Sequence, residues 1–190
     1  MKTEIKAIKA LIRQEPMTIR EISRKIKADY RITHTAVKLL SKKGALSIKE
    51  IGGSSLCELN RMYNGIEILQ AEEERKTAFL KNKDMAVLYK EVTGNAGSGF
   101  FVMLVFGSYA KGSQTKDSDI DIMVISNDEK LNKRINDILS ALPLKIHFIP
   151  LNEEEFRRMY FSREPNVVKE AVKSYVLLHG AEQFYGMMRS

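Results

Sequence analysis

FVMLVFGSYAKGSQTKDSDIDIMVIS, residues 101–126, is the stretch from which the fold of the C-terminal region is read. An apolar run, Phe100–Phe106, stops abruptly at Gly107-Ser108. A run this continuous predicts a central strand buried on both faces. Ten residues after Ser108 a second apolar run begins, and it carries Asp119 and Asp121 one residue apart. Strand side chains alternate, so the two carboxylates share a face while Ile120, Ile122 and Val124 point into a core.

Two like charges at that spacing repel unless a cation lies beside them. Paired carboxylate oxygens suit Mg²⁺, which takes a few carboxylates and fills its shell with water and substrate phosphates. The Gly-Ser end of the first strand supplies the complement. Gly107 lets a backbone approach a ligand closely, and Tyr109-Ala110-Lys111 is placed to open a helix whose first amides suit a phosphate. The Ser108 hydroxyl adds a donor, and Lys111 is the candidate phosphate-facing cation. Acid pair and phosphate cradle together point to metal-assisted chemistry on a nucleoside triphosphate (NTP).

Gly107-Ser108, ten residues, then Asp119-x-Asp121 resembles the signature of the polymerase β-like nucleotidyltransferases, most nearly the minimal nucleotidyltransferases. Gly112, Ser118 and the ending LLHGAEQFYGMM fit the same pattern, which covers about residues 95–190. The resemblance implies a mixed β-sheet flanked by helices. It also implies Mg²⁺ on Asp119 and Asp121, an NTP phosphate chain on Gly107, Ser108 and Lys111, and transfer of a nucleoside monophosphate. A third carboxylate is implied on a later strand, here Leu144–Ile149, and the matching position holds His147. His147 is then a metal ligand, a general base, or the mark of a site that binds nucleotide without turnover. Glu153, Glu154 and Glu155 read as a helix first turn capped by Asn152.

The charge is uneven. The net +7 of the 190 residues lies wholly in residues 1–60, with 13 Lys and Arg against six Asp and Glu. Ile5, Ile8, Leu11 and Ile12 fall on one helix face. After Pro16, Thr18-Ile19-Arg20-Glu21 reads as a capping box opening a second helix. A third follows with Thr33 as its expected N-cap, and Gly44 closes it. Two β-like runs then flank Gly52-Gly53-Ser54, a hairpin signal.

This order, three helices and a hairpin, resembles a winged helix-turn-helix domain, so the whole chain reads as α+β: winged helix-turn-helix over 1–61, helical connector over 62–94, nucleotidyltransferase fold over 95–190. The first implies duplex DNA as partner. Arg31, Thr33, His34, Thr35 and Lys38 are expected to face a major groove, with Lys42, Lys43 and Lys49 against phosphates. The connector is a candidate element for a homodimer, and Gly94–Gly99 a turn-rich boundary.

Other classes are set aside. No run of about 18 apolar residues predicts a membrane span, and Cys57 alone makes neither a disulfide framework nor a thiolate zinc site. A cytoplasmic protein is expected. The acceptor, a small molecule, RNA or protein, is not chosen by any motif. The alternative is a transcriptional regulator whose nucleotidyltransferase-like domain is degenerate and serves nucleotide sensing or assembly.

Overall fold

The computed structural model describes residues 2–12, 15–97 and 99–189, so Ser98 of the expected boundary turn lies outside the described residues. The chain divides into two compact units, Met1–Glu74 and Arg75–Met188. No helix among the described residues is long and apolar enough to cross a membrane.

The first unit begins with α1 (Thr3–Leu11), whose Ile5, Ile8 and Leu11 are buried. A two-residue strand, β1 (Met17–Thr18), precedes α2 (Ile19–Ile26). The expected capping box is formed: the Thr18 side chain accepts from Glu21 N, and the Glu21 carboxylate accepts from Thr18 N. α3 (Tyr30–Lys42) follows. β2 (Leu46–Ile51) and β3 (Ser54–Leu59) form an antiparallel hairpin. Its turn residues Gly52 and Gly53 both have positive φ, 54° and 76°, which the twist of a two-residue hairpin turn demands. β1 pairs with β3, giving a sheet ordered β1-β3-β2.

Thr33, which the sequence marks as the N-cap of α3 and for its exposed face, takes neither place. The helix begins earlier because Asp29 caps it, its carboxylate accepting from Arg31 N at 2.8 Å and Ile32 N at 3.3 Å. Thr33 is therefore inside the first turn, fully buried beside Ala36, Val37 and Leu40, with its hydroxyl donating to the Asp29 carbonyl at 2.8 Å.

Residues 62–94 form most of α4 (Ile66–Phe79) and α5 (Lys83–Asn95). α4 contains the change from one unit to the other, between Glu74 and Arg75. α5 belongs to the core of the second unit: Met85, Leu88 and Val92 are buried with strand residues, and Phe79 and Leu80 pack against them. Ile66 and Val87 of the two helices are exposed.

The second unit is a four-stranded mixed sheet in the order β6-β5-β4-β7. β4 (Val102–Phe106) is wholly buried, as its apolar run predicts. It pairs antiparallel with β5 (Ile120–Ile125) and with β7 (Tyr175–His179), and β5 pairs parallel with β6 (Ile146–Leu151). Ile120, Ile122 and Val124 of β5 pack with α5 and with Leu131, Ile135 and Leu139 of α7 (Glu129–Ser140). α8 (Glu153–Phe161), α9 (Val167–Lys173) and α10 (Ala181–Met187) contribute buried Phe156, Val168 and Phe184, whose rings and side chains reach the sheet through contacts such as Phe184–Tyr175. Asn152 caps α8, as expected, and forms a full capping box with Glu155.

His179, at the end of β7, stacks on Phe101 with ring centroids 4.3 Å apart. Burial, and secondarily Lys76, lower its pKa below the usual histidine value. The folded unit therefore holds His179 neutral at a pH where the unfolded chain takes up a proton. Its contribution to stability is complete above about pH 6.5 and is lost as pH falls toward the lowered folded value. Thermal unfolding from pH 7.5 down to 5.5 should show a drop in melting temperature that is smaller in His179→Gln. Parallel curves for the two proteins would remove this group from the acid sensitivity.

Candidate functional site

The site is built where β4 ends and β5 and β6 begin. Register sets it: Phe106 lies opposite Asp121, and Asp121 lies beside His147 on the parallel neighbour. β4 runs directly into α6 (Gly107–Lys111), a single short helix. Asp119 stands exposed one residue before β5, and Asp121 is half-buried within it.

Gly107 makes the closest approach. Its φ is +68°, and a Cβ placed on it would lie 2.2 Å from Asp121 Oδ2. The carboxylate thus occupies the space that any side chain at 107 would take. The other oxygen, Oδ1, lies 3.1 Å from His147 Nδ1. Both oxygens of Asp121 are positioned, one by the bare glycine and one by the imidazole. His147 sits on the outer strand β6 with its side chain 62% exposed.

Ser108 is half-buried on α6, and Lys111 is exposed at its end. Lys111 also contributes to the lowered pKa of Glu170, which is due first to the Lys173 ammonium 2.6 Å away. The loop from Gly112 to Asp119 is ordered by its own hydroxyls, Thr115 N donating to Ser118 Oγ at 2.9 Å. Among the described residues no group of three or more His, Cys, Asp and Glu side chains is arranged to hold a metal ion. The donors already together are Asp121 and His147, one oxygen and one nitrogen.

Residues 101–178 match the nucleotidyltransferase domain family. A nucleotidyltransferase domain is therefore present in the C-terminal region. The match runs from the residue before β4 to the last residue but one of β7, so it takes in all four strands of the sheet except His179. The first unit lies outside it. No curated protein and no solved structure matches the chain.

The candidate site of Gly107, Asp121 and His147 does not coincide with the clefts of the second unit. One of about 970 Å³ is lined by Ser126, Asn127, Pro150, Asn152, Arg157 and Arg158. Ser126, Asn127, Pro150 and Asn152 lie at the carboxyl ends of β5 and β6 and the two arginines on α8, whereas Asp121 and His147 lie at the amino ends of the strands. Arg157 donates to the Met187 carbonyl at 3.0 Å and lies over the Phe161 ring.

The candidate DNA-facing residues of the first unit separate into two groups. Arg31, Thr35, Lys38 and Lys42 are exposed on α3 at helical spacing, and His34 is half-buried near the Tyr30 ring. The others have internal commitments. Thr33 is buried. Lys43 donates to Glu67, which also accepts from Tyr63. Burial works against ionising Glu67, yet these hydrogen bonds hold its pKa below the usual value. Lys49 lies 3.4 Å from Glu58 across the hairpin.

The resemblance put His147 at the third-acid position of the site; which of the two acids it meets is set by the parallel register of β5 and β6, where Asp121 and His147 both fall second in their strands.

Proposed function

We propose that the C-terminal domain binds a cation–NTP complex at the Gly107, Asp121 and His147 strand ends and transfers the nucleoside monophosphate to an acceptor. The observation that carries this reading is the Asp121 carboxylate seated against Gly107. It puts an acid beside the backbone that would receive a phosphate. The donor chemistry of Asp119, Asp121 and His147 fits a divalent cation. When bound, such a cation supplies charge neutralisation at the phosphoryl oxygens.

The chain's own groups have separate tasks. Asp119 and Asp121 hold the cation. Gly107 and Ser108 bind the β- and γ-phosphates through backbone amides and a hydroxyl, and Lys111 adds positive charge nearby. An acceptor oxygen attacks the α-phosphorus, the bond to the bridging oxygen breaks, and pyrophosphate leaves with the electron pair. The acceptor's proton passes to solvent or to a base at the site.

The N-terminal unit, on the same proposal, is a winged helix-turn-helix that binds duplex DNA. Its element order and β1-β3-β2 sheet support this, as does the exposed α3 row of Arg31, Thr35, Lys38 and Lys42. Its charge excess agrees. A second reading is favoured by His147: a regulator that senses nucleotide without turnover.

The purified protein, incubated with a divalent cation, each labelled NTP and cell extract, should transfer label. Asp119→Ala/Asp121→Ala should lower the transfer rate at least ~100-fold, since the lost cation contact is worth several kcal/mol. Saturable binding without transfer in the unsubstituted protein would support the sensor and remove the transferase.

A further inference from the structure

We propose that the cation of this site is gripped by a nitrogen–oxygen pair, the His147 imidazole and Asp121 Oδ1, so that the site selects a first-row transition-metal dication over Mg²⁺ for its nucleotide complex. This rests on the nucleotide-binding reading above.

Three observations carry it. The first is chemical. Imidazole is a poor partner for Mg²⁺, which favours oxygen donors, and a good one for borderline transition ions. The second is metric. His147 Nδ1 and Asp121 Oδ1 are 3.1 Å apart. Two donors each about 2.1 Å from one octahedral ion, at a right angle, stand about 3.0 Å apart. The pair therefore stands at the spacing of adjacent corners of an octahedron. The third is mechanical. The two groups stand side by side as register partners on parallel strands, and the second oxygen of Asp121 occupies the space that a side chain at Gly107 would take.

The exposed flank of His147 leaves the remaining corners open to solvent and to an arriving triphosphate. Asp119, exposed at the entrance to β5, is the donor that closes on the ion. Phosphate oxygens and water complete the shell.

The test uses the full chain with a non-hydrolysable adenosine triphosphate analogue and, separately, Mg²⁺, Mn²⁺ and Co²⁺. Binding of the analogue should strengthen in the order Mg²⁺, Mn²⁺, Co²⁺. The Co²⁺ to Mg²⁺ ratio should be at least about tenfold larger than in His147→Asp, which restores an all-oxygen set. Pulsed paramagnetic resonance of the Mn²⁺ complex should show a directly bound imidazole nitrogen, its signal changing on ¹⁵N-histidine labelling and vanishing in His147→Asp. A Mn²⁺ complex without a histidine nitrogen, or the same metal order and ratio in both proteins, would overturn the inference and leave nucleotide binding intact. Failure of the analogue to bind with any of the three ions would overturn the nucleotide reading and the inference with it.

Discussion

Gly107→Ala is expected to lower nucleotide binding and transfer at least ~100-fold in a protein that still folds. The added methyl would stand 2.2 Å from Asp121 Oδ2. That is far inside van der Waals contact, so the carboxylate must swing away. It then loses its place beside His147 Nδ1, and the acid that would hold the cation is misdirected. A displacement of about 1 Å at reacting groups costs about 100-fold in rate. The positive φ of 68° adds backbone strain of roughly 1–2 kcal/mol for a residue with a Cβ.

Strain and clash are separable. Gly112 has φ +74° and nothing within 4 Å of its would-be Cβ. Gly112→Ala should therefore lose stability of the same order, roughly 1–2 kcal/mol, while retaining nucleotide affinity. Thermal unfolding and nucleotide titration of both variants make the comparison. Equal affinities in the two would mean that the contact between residue 107 and Asp121 has no part in binding.

The second large effect concerns α3. Arg31→Ala/Lys38→Ala/Lys42→Ala should weaken duplex DNA binding by about 100-fold or more at moderate salt. It should also flatten the dependence of log affinity on log salt by about 0.9 for each phosphate contact removed. These three side chains are exposed on one face of the helix, and their removal leaves the buried row of Thr33, Ala36, Val37 and Leu40 untouched. Lys49→Ala should do less, because that ammonium already faces Glu58. Fluorescence anisotropy over a salt series reads both quantities. An unchanged slope in the triple variant would take this face of α3 out of DNA contact.

Much of the architecture was legible from residues alone because the signals are local. The unbroken apolar run to Phe106 announced a buried strand, and β4 is one. Thr18 and Glu21 announced a capping box, and they form it. Asn152 and the three glutamates behave likewise at α8. In each case neighbours in sequence hold all the atoms that matter. The errors arose where a choice was shared with distant groups. Thr33 and Asp29 can both cap a helix by composition; burial of the Thr33, Val37 and Leu40 face of α3, which packs on α1 and α2, decides for Asp29. β7 carried an apolar run, Tyr175–Leu178, but no turn or alternation marked it as a strand, and its pairing with β4 lies some seventy residues back in sequence.

The candidate site divides along the same line. Its residue types, a Gly-Ser strand end and two alternating acids, stand in one stretch of chain, and the two-residue period of a strand suffices to put those acids on one face. The partner of Asp121 is another matter. His147 comes beside it through the parallel register of β5 and β6, and Gly107 comes beneath it through the antiparallel register of β4 and β5. Registers are set by which apolar faces can be buried together, a property of the packed sheet as a whole. Spacing along the chain could propose the acids, but only the sheet brings a nitrogen within 3.1 Å of one of them.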